Sequence, residues 1–497
     1  MKKKQGFVLT MACLMACSVC MALNIPEADG SDGVLKITTA DCTNGVYTID
    51  LGRAATKQWD AKPTTAGCGV YDPEKWAVVF KYSSVQIDEG CTLKFVNHPS
   101  NPPVYWLVSG NVVINGEINL DGEHGRDTFM TAGNTTECAT PGPGGFAGGI
   151  SLKYDSGSDL IYYGGGGYGP GGATSQIRRK AANYSYMASV IGGGGSYATK
   201  GNSNSDTEGI TNSSDAGSLY GDETLIPLVG GSGGAGYNGA NYNNTTMIGG
   251  GAGGAGGGAI CIAAKGMVSL AGTIKARGNR GGGYRSSSDY FYFLGGCGSG
   301  GAVRIVADAI NGSGSIDVSS FGATRASLIQ DGWTSFNNYS TIYIKNRSIG
   351  GSGRIRLDSN NITLSNRDFT SWNVKPSLGN SDSVVLWADA KITMLTLGGA
   401  ALPEDPTYRQ SGLNECVSFA TEGERELVFR TENIPTDANV VVKVTPRQST
   451  NTYTGTTVVA TMDAGGTYAS ATWRAMIPLN DARTTFQVLV STIPLNE

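Results

Sequence analysis

Apolar side chains fall at even spacing through Ile260, Ile262, Ala264, Val268, Leu270, Ile274 and Ala276, which is the two-residue period of a strand with one buried face. The same seven positions occur upstream without a gap, as Val104, Trp106, Val108, Val112, Ile114, Ile118 and Leu120, and Gly110, Gly116 and Gly122 match Gly266, Gly272 and Gly278. Val303, Ile305, Ala307, Ile310, Gly314, Ile316 and Val318 repeat the pattern with one residue of slack, and Ile355, Leu357, Ile362 and Leu364 begin it again. A unit that recurs in this way buries its face by stacking on the next copy. The pattern therefore predicts an all-β chain built on a parallel β-helix, or solenoid, over residues 78–400, with WAVVFKYSSVQI and CTLKFVN as its first rungs.

The rungs are interrupted. After Gly122 the chain leaves on a main excursion, 123–246, and shorter ones follow at 279–301 and 322–350. Most of the 74 glycines lie between Gly142 and Gly301, in tracts such as GPGGFAGG and GGGAGGAGGG. Such chain loses much entropy on ordering and brings no side chain to bury. Two outcomes are open: a largely disordered excursion, or polyproline-II-like helices that pack flat under a cover of tyrosines. Aromatics beside each tract, among them Phe146, Tyr197 and Tyr237, favour order.

At either end the pattern changes. Residues 23–77 mix short apolar runs with turns and read as an N-terminal cap for the first rung. From 407 to 497 glycine falls, and short strands such as ELVFRTENI, NVVVKVTP and TTFQVLVST alternate with turn residues. This predicts a β-sandwich of the immunoglobulin or fibronectin type III kind, the latter preferred because the Cys–Trp–Cys pattern of antibody domains is missing. No sustained helical period with caps occurs anywhere.

Composition adds the compartment. Lys2, Lys3 and Lys4 precede the apolar run Phe7–Met21, which reads as a signal peptide over residues 1–22. Leu14-Met15-Ala16-Cys17 resembles a bacterial lipobox, so a lipid anchor at Cys17 is the one membrane attachment considered. Charged residues make up 16% with a formal net charge of −4, and no basic face is available for nucleic acid. Glycine is not at every third position and there are only 17 prolines, which excludes collagen. Seven cysteines follow the signal, without the close spacing of metal or redox motifs. In an exported chain Cys42–Cys68 is the favoured disulfide, because both lie in the cap. Cys261, between two inward isoleucines, is expected to point outward.

Candidate chemistry is sparse. His98 sits in a turn, VNHPSNPP, and His124 in the cluster Asp121-Gly-Glu123-His124-Gly-Arg126-Asp127. Asp121, Glu123 and Asp127 are the candidate calcium ligands and the candidate catalytic carboxylates. Their spacing lacks most ligand positions of an EF-hand, and a solvated turn at a strand end is the preferred reading. Gly230-Gly231-Ser232-Gly233-Gly234 satisfies the nucleophile-elbow pattern, as any glycine tract does by chance. Tyr162, Tyr163, Tyr168, Tyr284, Tyr290 and Tyr292 lie beside glycine tracts, where an apolar ring with a polar tip suits a sugar or a protein partner.

The combination of VYWLVSGNVVINGEINLDG, GPGGFAGG, GGGAICIAA, GGAVRIVAD, SGRIRLDS and KITMLTLGGAALPEDP resembles a group of exported, glycine-rich bacterial proteins with no assigned activity. The resemblance implies export and a β-solenoid fold, and no chemistry. The expectation is a non-catalytic structural or adhesion protein at the cell surface or outside it. Its partners would be surface glycans or envelope and matrix proteins, and it would need no cofactor. The alternative is a polysaccharide lyase or hydrolase using the acidic cluster, with calcium. The Asn-Thr-Asp, Asp-Asp and Gly-His-Gly signatures of polygalacturonase-like β-helix enzymes are missing, and fold analogy alone confers no activity.

Overall fold

The computed structural model describes residues 23–129, 138–150, 165–174, 192–205, 213–236, 241–242, 246–247, 251–285, 291–292, 295–320, 349–365, 374–381, 384–402, 419–446, 456–479 and 486–491. Among these the fold is all-β, and one 3₁₀ turn, Leu51–Arg53, is the single helical element.

Two sheets hold the apolar copies in register. In the larger one, Ala259–Leu270 is central: it pairs in parallel with Val104–Val108 and Val112–Ile114 on one side and Ala302–Gly312 on the other. Ile260 stands opposite Val104 and Val303, and Ile262 opposite Trp106 and Ile305. Arg354–Asp358 and Asn361–Leu364 then pair in parallel with Ala302–Gly312. The smaller sheet runs in the order Val46–Asp50, Thr92–Val96, Glu117–Asn119, Thr273–Lys275, Ser315–Asp317, parallel throughout. The single residue of slack has a structural cause. Ala264 pairs with Ala307 but Met267 with Ala309, so Lys265 and Gly266 share one opposing position as a β-bulge.

Side chains from both sheets make one buried core. It contains Ile118, Ile274 and Ile316 from the smaller sheet and Trp106, Ile260, Ile262, Ile305 and Leu357 from the larger. Phe80 stacks on Tyr82 with centroids 5.5 Å apart, and Tyr82 meets Trp106 edge-on at 5.8 Å. Each fully buried aliphatic or aromatic side chain contributes about 1.5–3 kcal/mol, so stacking the copies is the main stabilising term.

The larger sheet is covered on its other face too. Val79, Tyr105, Leu107, Cys261, Ala263, Ala302 and Val306 pack with Ile25, Tyr197, Leu225, Leu228 and Leu386 in a second core. Cys261 does turn away from the isoleucines, but it is 0% exposed. A sheet buried on both faces explains the unbroken apolar run VYWLV, since neither face can be polar.

The cap residues continue the stack. Gly33–Ile37 pairs in parallel with Tyr82–Ile87, and Val46–Asp50 with Thr92–Val96. Asp32, 5% exposed, accepts N–H bonds from Gly67, Gly69 and Lys81 at 2.8, 3.1 and 2.7 Å and ties these N-terminal loops to the strand region Ala77–Ile87. Cys42 and Cys68 are both free thiols, so the expected bridge between them is not formed.

The last strands form two antiparallel sheets around a third core of Leu427, Phe429, Val442, Val444, Trp473 and Ile477. Lys391–Leu397, placed by sequence within the β-helix span, pairs antiparallel with Gly423–Glu432 and belongs here. Its apolar alternation suits either setting, and the antiparallel neighbour decides.

Candidate functional site

The glycine tracts are ordered and packed against one another. From Ala252 to Ala259 successive N–H groups donate in rotation to three neighbouring tracts. Ala252, Ala255 and Gly258 donate to Arg126, Glu123 and Leu120 at 3.2, 3.1 and 2.8 Å. Gly253, Gly256 and Ala259 donate to Gly149, Phe146 and Pro143 at 2.7, 2.9 and 2.7 Å. Gly254 and Gly257 donate to Gly296 and Ser299 at 2.8 and 3.0 Å. Three residues per turn is the polyproline-II period, and neighbours here supply the partners that water supplies to an isolated helix of that kind.

Glycine is required because the backbones nearly touch. A Cβ on Gly254 would fall on the carbonyl oxygen of Asn279, and one on Gly256 on that of Gly231. Methyl groups fit at two positions three residues apart, Ala252 and Ala255, both 0% exposed. The tract Gly230–Gly236 follows the same rule with Ser232 and Ala235.

Tyrosines close the bundle over the strand stack. Tyr197 and Tyr220 stack with centroids 4.4 Å apart, and the Arg354 guanidinium lies 5.5 Å from the Tyr197 ring. Tyr197 Oη donates to Val229 O at 2.9 Å, and burial pushes both tyrosine hydroxyls up, so they stay protonated. These aromatics cover glycine.

The hydrogen-bond register also orients every tract. Leu120, Pro143, Gly258, Ala276 and Gly301 lie at the end that continues into the strands, whereas Arg126, Gly149, Ala252, Gly282 and Gly295 lie level with one another at the far end. Gly165 joins that end through Gly236, and Gly192 through Ala235 and Gly296. In sequence, residues 130–137, 151–164, 237–250 and 286–294 each adjoin a described tract residue at or near this level. These segments carry Tyr162, Tyr163 and Tyr290 among many serines and asparagines.

The predicted site residues are placed as follows. Asp121 is held by Arg277, and Asp127 by Arg280 and the Gly283 N–H, while Glu123 is exposed. Among the described residues no three His, Cys, Asp or Glu side chains gather where a metal ion could sit, so Asp121, Glu123 and Asp127 are not brought together. His124 Nδ1 is 2.9 Å from Gly125 O, and the His98 ring packs 4.0 Å from that of Tyr71. Tyr168 is half-buried beside Cys138. Tyr284 and Tyr292 are opposed across a two-residue antiparallel pair at the far end. Tyr162, Tyr163 and Tyr290 lie outside the described residues, as do Cys17 and the signal segment. Among the described residues no helix is long and apolar enough to cross a membrane.

The far end as a meeting point was missed in sequence. The signal was there in the three-residue spacing of Ala252 with Ala255 and of Ser232 with Ala235, which fixes tract direction once pairing is known. No protein-family profile, curated protein or solved structure matches the chain.

Proposed function

We propose that this is an exported, non-catalytic β-solenoid that binds surface glycans or envelope and matrix proteins through segments gathered at the far end of its glycine bundle. The observation that supports it is the register of the described tract ends: Arg126, Gly149, Ala252, Gly282 and Gly295, which lie far apart in sequence, are level with one another. The tyrosine, serine, glycine and asparagine content of the adjoining segments is that of binding loops such as antibody paratopes, where rigid amphipathic rings give area at low entropic cost. A stiff base suits this task, because ordering entropy already lost in folding is not lost again on binding. The parallel strand registers support the solenoid reading, and the antiparallel C-terminal sheets suit a fibronectin-like module.

A glycan array probed with the purified full chain, with and without calcium, tests the reading, together with a variant whose 286–294 segment is replaced by a glycine/serine linker. Binding that is lost in the variant at unchanged thermal stability supports it. Binding that persists in the variant, or turnover of an acidic polysaccharide by the intact chain, overturns it.

A further inference from the structure

One pair of thiols meets at the edge of the first core. Cys42 precedes a tight turn in which Thr43 and Val46 exchange N–H···O bonds of 2.9 and 3.0 Å. Val46 pairs with Thr92, and the Thr92 N–H donates to Gly45 O at 2.8 Å, which sets the turn beside Cys91. Cys91 is a core residue at 2% exposure, and Cys42 packs half-buried on that same core with its Sγ donating to Thr38 O at 3.4 Å. Both side chains therefore sit at the same edge of the core. Backbone pairing thus holds the turn that follows Cys42 against the strand that follows Cys91 before any bond forms, the prior proximity that a disulfide needs.

We propose that Cys42 and Cys91 are a disulfide-forming pair that locks the first two cap strands onto the rung behind them, in place of the Cys42–Cys68 bridge expected from sequence. The partner chemistry is a disulfide oxidant of the exported compartment. The Cys42 thiolate attacks one sulfur of the oxidant, forming a mixed disulfide and releasing one thiol. Cys91 then loses its proton and attacks Cys42 Sγ, and the second thiol of the oxidant departs with the electron pair of the broken bond. Two thiols are oxidised and one disulfide is reduced. Burial, and next the Cys42 thiol, push Cys91 up to about 11, so the half-exposed Cys42 opens the reaction.

The test uses the full chain treated with oxidised glutathione, then alkylated in the native state, digested without reduction and analysed by mass spectrometry. The expected product is a cross-linked pair containing Cys42 and Cys91, lighter by two hydrogens than the reduced peptides, with a higher thermal transition than the reduced chain. Cys68→Ser keeps the cross-link. Cys42→Ser abolishes it and, at a half-exposed position, keeps the fold. A Cys42–Cys68 peptide, a glutathione adduct that persists on Cys42, or free alkylation of both Cys42 and Cys91 after oxidation overturns the proposal. Because the oxidant is supplied in solution, this outcome does not depend on export.

Discussion

Asp121 and Arg277, 156 residues apart in sequence, form a two-pronged ion pair: Arg277 Nε and Nη2 donate to Asp121 Oδ2 at 3.0 and 2.7 Å, and the Arg277 backbone N–H donates to Oδ1 at 2.7 Å. Burial alone would lower the guanidinium pKa, but the hydrogen bonds and charge of Asp121 outweigh it and hold it above its ordinary value. The pair sits where the strands Glu117–Asn119 and Thr273–Lys275 give way to glycine tracts, so it aligns tract with tract. Asp121→Asn keeps the shape and removes the charge. It is expected to destabilise by about 1–3 kcal/mol, read as a lowered thermal transition. Arg277→Lys should lose nearly as much, because an ammonium cannot make the fork.

The glycine bundle makes a sharper prediction, because gaining a methyl at one position of a tract should cost more than losing one at the next. Gly254→Ala forces a methyl onto Asn279 O with backbone on all sides, and overpacking of this kind costs about 1–3 kcal/mol or more. Ala255→Gly, one residue along, removes a methyl that fits. It should cost about 0.5–1 kcal/mol, mostly through the entropy of the unfolded chain. Equal losses in chemical denaturation would argue against the three-residue packing rule.

Much of the strand stack was legible because its physics is local. Even apolar spacing is sufficient to assign Ile260, Ile262 and Ala264 to one face, and the 156-residue offset between Asn111 and Met267 is also the offset between hydrogen-bonded partners. What was not legible depended on neighbours far along the chain. Nothing in Tyr105 or Cys261 says that a second core lies on that face, since Leu225, Leu228 and Leu386 arrive from distant loops. Asp121, Glu123 and Asp127 look like one acidic site in sequence. In a three-per-turn helix rising about 3.1 Å per residue, Asp121 and Asp127 are separated by about 19 Å and meet different arginines. The turn after Cys42 is set beside Cys91 by the pairing of Val46 with Thr92, a neighbour that loop composition does not reveal.

Buried charge supplies another prediction. Arg304, 6% exposed, donates through Nε to Asp358 Oδ2 at 2.9 Å, and Arg356 Nε reaches Oδ1 of the same carboxylate at 2.6 Å. One aspartate thus bridges two arginines. Asp358→Asn leaves a buried guanidinium uncompensated and is expected to cost about 3–5 kcal/mol, whereas the double variant Arg304→Met/Asp358→Leu should recover most of that loss. Equilibrium unfolding in urea decides, and a double variant no better than the single would mean that the network is stabilising in its own right.

Alkaline pH should unfold the reduced chain through its buried thiols. Burial pushes Cys91 up to about 11 and Cys138 and Cys261 up to about 12, from an ordinary 9.0. All three folded values are raised, so above pH 9 the unfolded chain gives up protons that the folded chain keeps. Stability is then full below pH 9 and falls as pH rises through the folded values, by about 1.4 kcal/mol per pH unit for each thiol involved. Cys261→Ala removes one such group at small cost in volume. Its stability should decline less steeply than that of the parent between pH 9 and 11, although it starts slightly lower. Parallel curves for the two proteins in denaturant titrations across that range would show that the Cys261 thiol does not hold its proton in the fold.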